Sequence, residues 1–370
     1  MTMHRMSQGG ADRVAVLLAN GFHAAGIPID FLLLRSGGEG EQTLTDLLDP
    51  GVRLHSAGAP LGSRHLELIR GASAIRSLAA SVRPSLVLAT SSNMGLVTGV
   101  ACRDLRRSGV GVAMKLTNPI IRPRDRHTIQ KAYRTALYRF IFEKHDRVLT
   151  LTDAERRYLR SRYPAFSNRF FTVPNAYVAA DQLRSGKPKR SAKVGPRLLT
   201  LARMMPQKRL DVLIEAFALL SRSDARLTIL GDGPLRPSIE RLARSLGVAG
   251  RVDMPGFIDD VGPALRAADL FVLSSDYEGL PAAVIEALAC NVPVVTTDCF
   301  FGAREMLGTS PFCAVTPVGD PVALARAIDA SLALGPARGL QEMAAEYGIE
   351  ASIAAHLEVL RPLMKPSSGS

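Results

Sequence analysis

The chain has 370 residues, 47% of them hydrophobic, and its 46 Lys and Arg against 34 Asp and Glu give a net charge of +12. That length predicts two domains, and a composition able to build apolar cores, with no low-complexity tract, excludes a disordered or fibrous chain. No apolar run approaches the ~18–20 residues needed to span a bilayer, and Cys102, Cys290, Cys299 and Cys313 include no CxxC pair, so reduced thiols in a cytosolic compartment are expected.

The charge is unevenly placed. Residues 1–195 carry 30 Lys and Arg against 14 Asp and Glu, a balance of +16, whereas residues 196–370 carry 16 against 20, a balance of −4. The basic half points to an anionic partner. A membrane surface fits. Nucleic acid is not expected, because there is no zinc-ligand spacing, no aromatic-basic platform and no Trp.

In chain order, Val14, Leu17, Leu18 and Phe22 recur at helical spacing over 11–23, with Gly9 and Gly10 at the helix start. Those glycines read either as an anion site at a helix N-terminus or as a flexible lead-in. A glycine turn of this kind normally follows a first strand, yet only MTMHRMSQ precedes it. The first strand of this domain is therefore expected to be missing, through a late start or through loss.

Strands and helices then alternate: strand 29–34, helix 65–82, strand 85–90, helix 94–107, strand 110–116 ending in Thr117-Asn118-Pro119, helix 126–143 and strand 148–151, after which Asp153 is expected to cap a helix to residue 162. Such alternation predicts a parallel sheet covered on both faces, with ligands beyond the carboxyl ends of its strands. Residues 122–147 hold eight Lys and Arg against three acidic residues. Arg122, Arg124, Arg126, Lys131, Arg134 and Arg139 are interleaved with Tyr133, Leu137, Tyr138, Phe140 and Ile141. This stretch reads as an ordinary helix with a solvated basic face or as one that lies on an anionic bilayer. The excess over the whole half favours the second.

Residues 181–196, DQLRSGKPKRSAKVGP, read as an interdomain linker. A second alternation follows, with strands over 197–201 and 227–230, a Gly231-Asp232-Gly233-Pro234 turn, helices over 209–220 and 235–246, and a last helix over 349–363. After strand 197–201, Arg203 and Lys208 bracket four residues. Two cations at the end of a strand suit a diphosphate, although solvated loop cations look the same in sequence. In SSDYEGLPAAVIEALACNVPVVTTD, residues 274–298, Glu278 falls on the loop after an apolar strand and Glu286 inside a helix that Pro281 begins. Seven residues separate them, just over two helical turns. They read as surface carboxylates or as one side of a cleft.

LARMMPQKRLDVLIEAFALL, LTILGDGPLRPSIERLARSLGV, RVDMPGFIDDVGPALRAADLFVLSSDYEGLPAAVIEALACNVPVVTTD and GAREML, in that order, resemble the donor domain of family 4 glycosyltransferases, whose signature is E-x7-E. GGADRVAVLLANGF and the strand pattern extend the resemblance more loosely over the first half. The resemblance implies an α/β GT-B fold, with two Rossmann-like domains whose parallel sheets face across a cleft. Residues 1–185 would bind the acceptor and 196–350 the donor, with the helix and tail of 351–370 packing back toward the first domain.

It also implies a metal-independent retaining hexosyltransferase that uses a nucleotide-diphosphate-sugar and no cofactor. The acceptor would be a glycan, polysaccharide or polyprenyl-linked lipid in cell-envelope or lipopolysaccharide synthesis. The protein would be cytoplasmic, peripheral on the inner face of the plasma membrane. Glu286 would bind ribose hydroxyls and Glu278 would lie near the donor sugar, while Arg203 and Lys208 hold the diphosphate. Gly256, Phe257 and Ile258 would border the base, and Gly279, Leu280, Gly9 and Gly10 would line the donor site. Where many members carry a histidine, this chain reads Lys115-Leu116-Thr117-Asn118-Pro119, leaving Asn118 to bond a sugar hydroxyl. Asn291 replaces a usual helix-ending glycine. The alternatives are a nucleotide-sugar-binding protein with impaired or no catalysis and a nucleotide-sugar epimerase on the same fold.

Overall fold

The computed structural model describes residues 1–6, 10–37, 44–59, 61–120, 128–179, 195–258 and 260–364. Gly9, Arg122, Arg124, Arg126 and most of the expected linker, 181–194, lie outside the described residues. The chain forms two units, unit 1 from Met1–Ala176 with Ile349–Ser370 and unit 2 from Tyr177–Gly348.

Unit 1 holds β1 (Thr2–Met3), β2 (Asp30–Leu33), β3 (Arg53–Ser56), β4 (Leu86–Ala89), β5 (Gly111–Lys115), β6 (Arg147–Thr150) and β7 (Phe170–Thr172). They pair in parallel in the order β3-β2-β1-β4-β5-β6-β7. Every residue of β5 is buried, as expected of a parallel strand covered on both faces. Apolar residues from strands and helices, including Leu32, Val87, Met94, Val112, Met114, Phe142 and Phe170, pack into one core.

The expected absence of the first strand is overturned. β1 is present and lies inside the sheet between β2 and β4. Leu32 N donates to Met1 O and Leu34 N to Met3 O, each at 2.9 Å, while Thr90 N donates to Thr2 O at 3.1 Å. Two residues are too short to show a period, and Thr2 does not look like a core residue. Its hydroxyl is satisfied by Thr98 Oγ1 at 2.9 Å, so it is buried without penalty.

Two other expectations need correction. The helix expected over 94–107 is two, Ser92–Ala101 and Arg103–Arg107, because the backbone leaves helical geometry at Cys102. Thr152, not Asp153, caps the helix Asp153–Arg162. Its hydroxyl accepts from Glu155 N at 3.1 Å, and Asp153 is the first helical residue.

The helix Ile349–Leu360 belongs to unit 1 and packs on the helix Gly10–Ala24. Gly21 permits this contact, since a Cβ there would lie 2.0 Å from Ile353 Cδ1. Ser352 Oγ donates to Pro174 O at 2.7 Å.

Unit 2 holds β8 (Arg197–Leu201), β9 (Arg226–Leu230), β10 (Val252–Gly256), β11 (Leu270–Leu273), β12 (Val294–Thr297) and β13 (Ala314–Thr316). The order is β10-β9-β8-β11-β12-β13, again all parallel. From β8 the chain winds outward through β9 to β10. It then returns to β11 and winds the other way, so the winding reverses between β8 and β11. At such a reversal the loops leaving two neighbouring strands diverge and open a crevice at their carboxyl ends.

Candidate active site

The loop leaving β8 carries Arg203 and Lys208, and the loop leaving β11 carries Glu278. The two loops meet across that reversal. Lys208 Nζ donates to Glu278 Oε1 at 2.6 Å, with the side chains 19% and 12% exposed, so the pair is largely shielded from water. Ser275 Oγ donates to the same oxygen at 2.8 Å. A carboxylate with two donors on one oxygen is fixed in orientation.

The backbone is fastened just as closely. Asp276 N donates to Gln207 O at 2.8 Å, and Glu278 N to Cys299 O at 2.6 Å. Gln207 Nε2 donates to Tyr277 O at 2.7 Å, Ser274 Oγ to Lys208 O at 2.9 Å and Thr297 Oγ1 to Ser275 O at 2.6 Å. Burial first, then the Glu278 charge, pushes the Cys299 thiol up to about 12, so it stays protonated in this junction.

Arg209 reinforces the junction from a left-handed backbone, φ 46 and ψ 46, a region that a residue with a Cβ adopts at a cost. Its guanidinium donates to both oxygens of Asp211 and, through Nη1 at 3.1 Å, to Asp276 Oδ1. The Asp211 hydrogen bonds, opposed by desolvation and aided by Asp276, hold its pKa above the ordinary value.

The Gly231-Asp232-Gly233 turn after β9 lies directly on the β8 loop. At Gly231, φ is +125 and a Cβ would come 2.3 Å from Ala202 O. At Gly233, φ is +155 and the nearest atom would be Met204 O at 2.7 Å. Met204 N donates to Asp232 O at 2.8 Å and Leu235 N to Met204 O at 3.1 Å. The turn therefore supports the segment between Arg203 and Lys208 from below.

The other expected residues are placed as follows. Arg203 is exposed, and Gly279 is half-buried. Leu280 is 5% exposed. Glu286 is half-buried within the helix Ala282–Ala289, for which Pro281 is the N-cap and not the first helical residue. Phe257, 55% exposed, and half-buried Ile258 follow β10. All stand beyond the carboxyl ends of the unit 2 strands or on the helix next to them. Of the expected residues, Lys208 and Glu278 are in direct contact.

Gly10 opens its helix and is exposed, and half-buried Asn118 follows β5. Both are in unit 1. Beside Asn118, Thr117 N donates to Ser92 Oγ at 2.9 Å and ties the ends of β4 and β5 together. Among the described residues no group of three or more His, Cys, Asp or Glu is arranged to hold a metal ion, and no helix is long and apolar enough to cross a membrane.

Two family profiles match this chain, "Glycosyl transferase 4-like domain" over residues 9–176 and "Glycosyl transferases group 1" over residues 195–333. The chain belongs to the family 4 type of glycosyltransferase. The lipopolysaccharide core biosynthesis glycosyltransferase LpsE of Rhizobium meliloti is 32% identical to it over 196 residues, 51% of this chain and 56% of that protein. The chain spans about half the length of the curated relatives it matches. Sucrose-phosphate synthase from Thermosynechococcus elongatus superposes with a TM-score of 0.78 at 22% identity, covering 98% of this chain and 95% of that one. HepE from Anabaena, solved with UDP and glucose, superposes with a TM-score of 0.75 at 16% identity, covering 98% of each. At those identities the likeness is one of fold, and the fold is GT-B.

Within this family 4 chain, sequence reasoning missed Ser275, Gln207, Arg209 and Asp276. Ser275 stands three residues before Glu278 and Arg209 two before Asp211. Those spacings are the local signals that were available.

Proposed function

We propose that this chain transfers a sugar from a nucleotide-diphosphate-sugar to a glycan, polysaccharide or lipid-linked acceptor in cell-envelope glycan synthesis, with retention of anomeric configuration. The observation that carries the reading is the Lys208–Glu278 pair, set across the winding reversal of a parallel sheet. An ammonium has three donors and Glu278 takes one, so the others are left to neutralise a diphosphate as it departs. Arg203 is the second cation of that loop. Glu278, held by Lys208 and Ser275, is the fixed carboxylate beside the donor sugar, and Glu286 is the ribose ligand. Fixed cations supply the leaving-group stabilisation for which other enzymes use a metal. The UDP and glucose recorded with HepE support a donor of this class.

The acceptor side rests on unit 1. In the helix Thr128–Glu143, Ile129 is 82% exposed, Tyr133 67% and Phe140 42%. With Ala136 they fall within about 60° of one another on a helical wheel, and Arg139 flanks them. An apolar ridge edged by cations is how a helix lies on an anionic bilayer, which suits an acceptor carried on lipid.

Incubation of the protein with a panel of nucleotide-sugars and membrane extract tests the transfer, with consumption of one donor expected for wild type and abolished in Glu278→Ala. If wild type neither binds nor consumes any donor, the reading fails. Sedimentation with phosphatidylglycerol vesicles tests the surface. Ile129→Asp with Tyr133→Asp is expected to release the protein, and unchanged binding rejects that part.

A further inference from the structure

The chain enters unit 2 at Tyr177 and leaves it after Gly348. The entering and leaving segments are hydrogen-bonded to each other. Tyr177 N and Val178 N both donate to Tyr347 O, at 2.9 and 3.2 Å, and Val178 pairs with Gly348. The rings of Tyr177 and Tyr347 lie 6.5 Å apart. From this anchored position Tyr177 reaches far along the sequence, and its hydroxyl donates to Leu280 O at 2.7 Å.

That acceptor occupies a particular place. The Leu280 carbonyl belongs to the peptide that joins Leu280 to Pro281, the N-cap of the helix carrying Glu286. It is thus the joint between Glu278 and Glu286. Residues 274–278 are tied to the β8 loop and to the end of β12 by the bonds described above. Among the described residues, Tyr177 supplies residues 279–281 with a hydrogen bond from a distant part of unit 2. Pro281 has no N–H to contribute.

We infer that Tyr177 is a positioning residue for glycosyl transfer: its hydroxyl pins the Leu280–Pro281 peptide and thereby sets the relation between Glu278 and Glu286. This rests on the glycosyl transfer reading above. Through this O–H it links the site to the point where the backbone enters the unit. Tyr347 is the internal comparison. It shares the same crossing, and its hydroxyl donates to Met306 Sδ at 3.7 Å.

The test compares wild type, Tyr177→Phe and Tyr347→Phe as full chains. The first measurement is amide hydrogen exchange without ligand. Tyr177→Phe is expected to speed exchange in the 278–284 segment about tenfold, the opening expected from loss of one hydrogen bond, with Tyr347→Phe matching wild type. The second is donor turnover with the nucleotide-sugar that wild type consumes. Tyr177→Phe is expected to lower kcat about tenfold with KM changed less than twofold, since orientation and not occupancy is disturbed. Unchanged exchange in Tyr177→Phe overturns the inference. So does an equal effect of Tyr347→Phe, which would show general loosening of the crossing. Exchange does not depend on activity, so a wild type that consumes no donor sinks the functional reading while the exchange result still decides the role of Tyr177 in holding the peptide.

Discussion

Lys115 Nζ and His356 Nε2 are hydrogen-bonded in the interior of unit 1, one from the fully buried strand β5 and the other from the helix Ile349–Leu360. His356 Nδ1 lies 2.7 Å from Ser352 O. A carbonyl only accepts, so Nδ1 carries the ring proton and Nε2 accepts from Lys115. Burial lowers the Lys115 pKa to about 7. Burial, then the Lys115 charge, holds His356 well below its usual value.

The sign of the resulting pH dependence follows from linkage. Between about 7 and the ordinary 10.5, the unfolded chain holds a proton on Lys115 that the folded chain does not. Stability therefore rises with pH across that window, by up to about 1.4 kcal/mol per pH unit. Below about 7 the Lys115 penalty is complete and its slope vanishes. His356 adds a further loss as pH falls below 6.5. Urea unfolding of wild type and Lys115→Met at pH 7, 8 and 9 is expected to give a rising difference in favour of wild type, with the variant the more stable of the two at pH 7. Parallel profiles would refute the buried-lysine account.

The Lys208–Glu278 pair makes a double-mutant test. Removing one partner strands the other charge in a largely buried place, at a cost of about 2–4 kcal/mol. Lys208→Met and Glu278→Gln are each expected to lower the urea midpoint, and the double variant to recover part of the loss. Donor turnover is expected to fall about 100-fold or more in all three. Additive stability losses would mean that the pair is not coupled.

Arg209 tests backbone strain against side-chain contact. Arg209→Ala loses the Asp211 and Asp276 contacts and keeps a Cβ in the left-handed region. Arg209→Gly loses the same contacts but relieves the backbone. Glycine is expected to be more stable than alanine here by about 1 kcal/mol, the reverse of the order in a helix. Chemical denaturation of the two variants decides it.

At Gly231 a methyl group would meet the backbone oxygen of Ala202, which no side-chain rotation relieves. Gly231→Ala is expected to cost about 2–4 kcal/mol and, on the proposed function, in which Arg203 of the displaced segment holds the diphosphate, to weaken nucleotide-sugar binding together with stability. Calorimetric Tm and titration with the nucleotide-sugar that wild type consumes, on one preparation, check both; a Tm equal to that of wild type would contradict it.

In unit 2, β8, β9 and β11 were legible as short apolar runs between turn residues, as at 270–273, whereas β10, which carries Asp253 and Pro255, and the three-residue β13 were not. β3 was missed as an edge strand with three polar residues in four, and β1 because two residues carry no period. At the site, Lys208 and Glu278 stood out as charges on loops after strands, but their contact spans 70 positions. Only the strand order brings those loops together. Tyr177 left no trace, since its partner is a backbone carbonyl 103 residues away.

Because the helix Ile349–Leu360 completes unit 1, the unit that begins the chain is the last to be finished during synthesis. Unit 2 is continuous and has its whole sequence once residue 348 has left the ribosome. At that moment Lys115 still lacks His356, its partner in the core. Unit 1 therefore gains its full sequence after unit 2, and a fragment ending at residue 176 leaves the buried Lys115 side chain without the imidazole that receives its hydrogen bond.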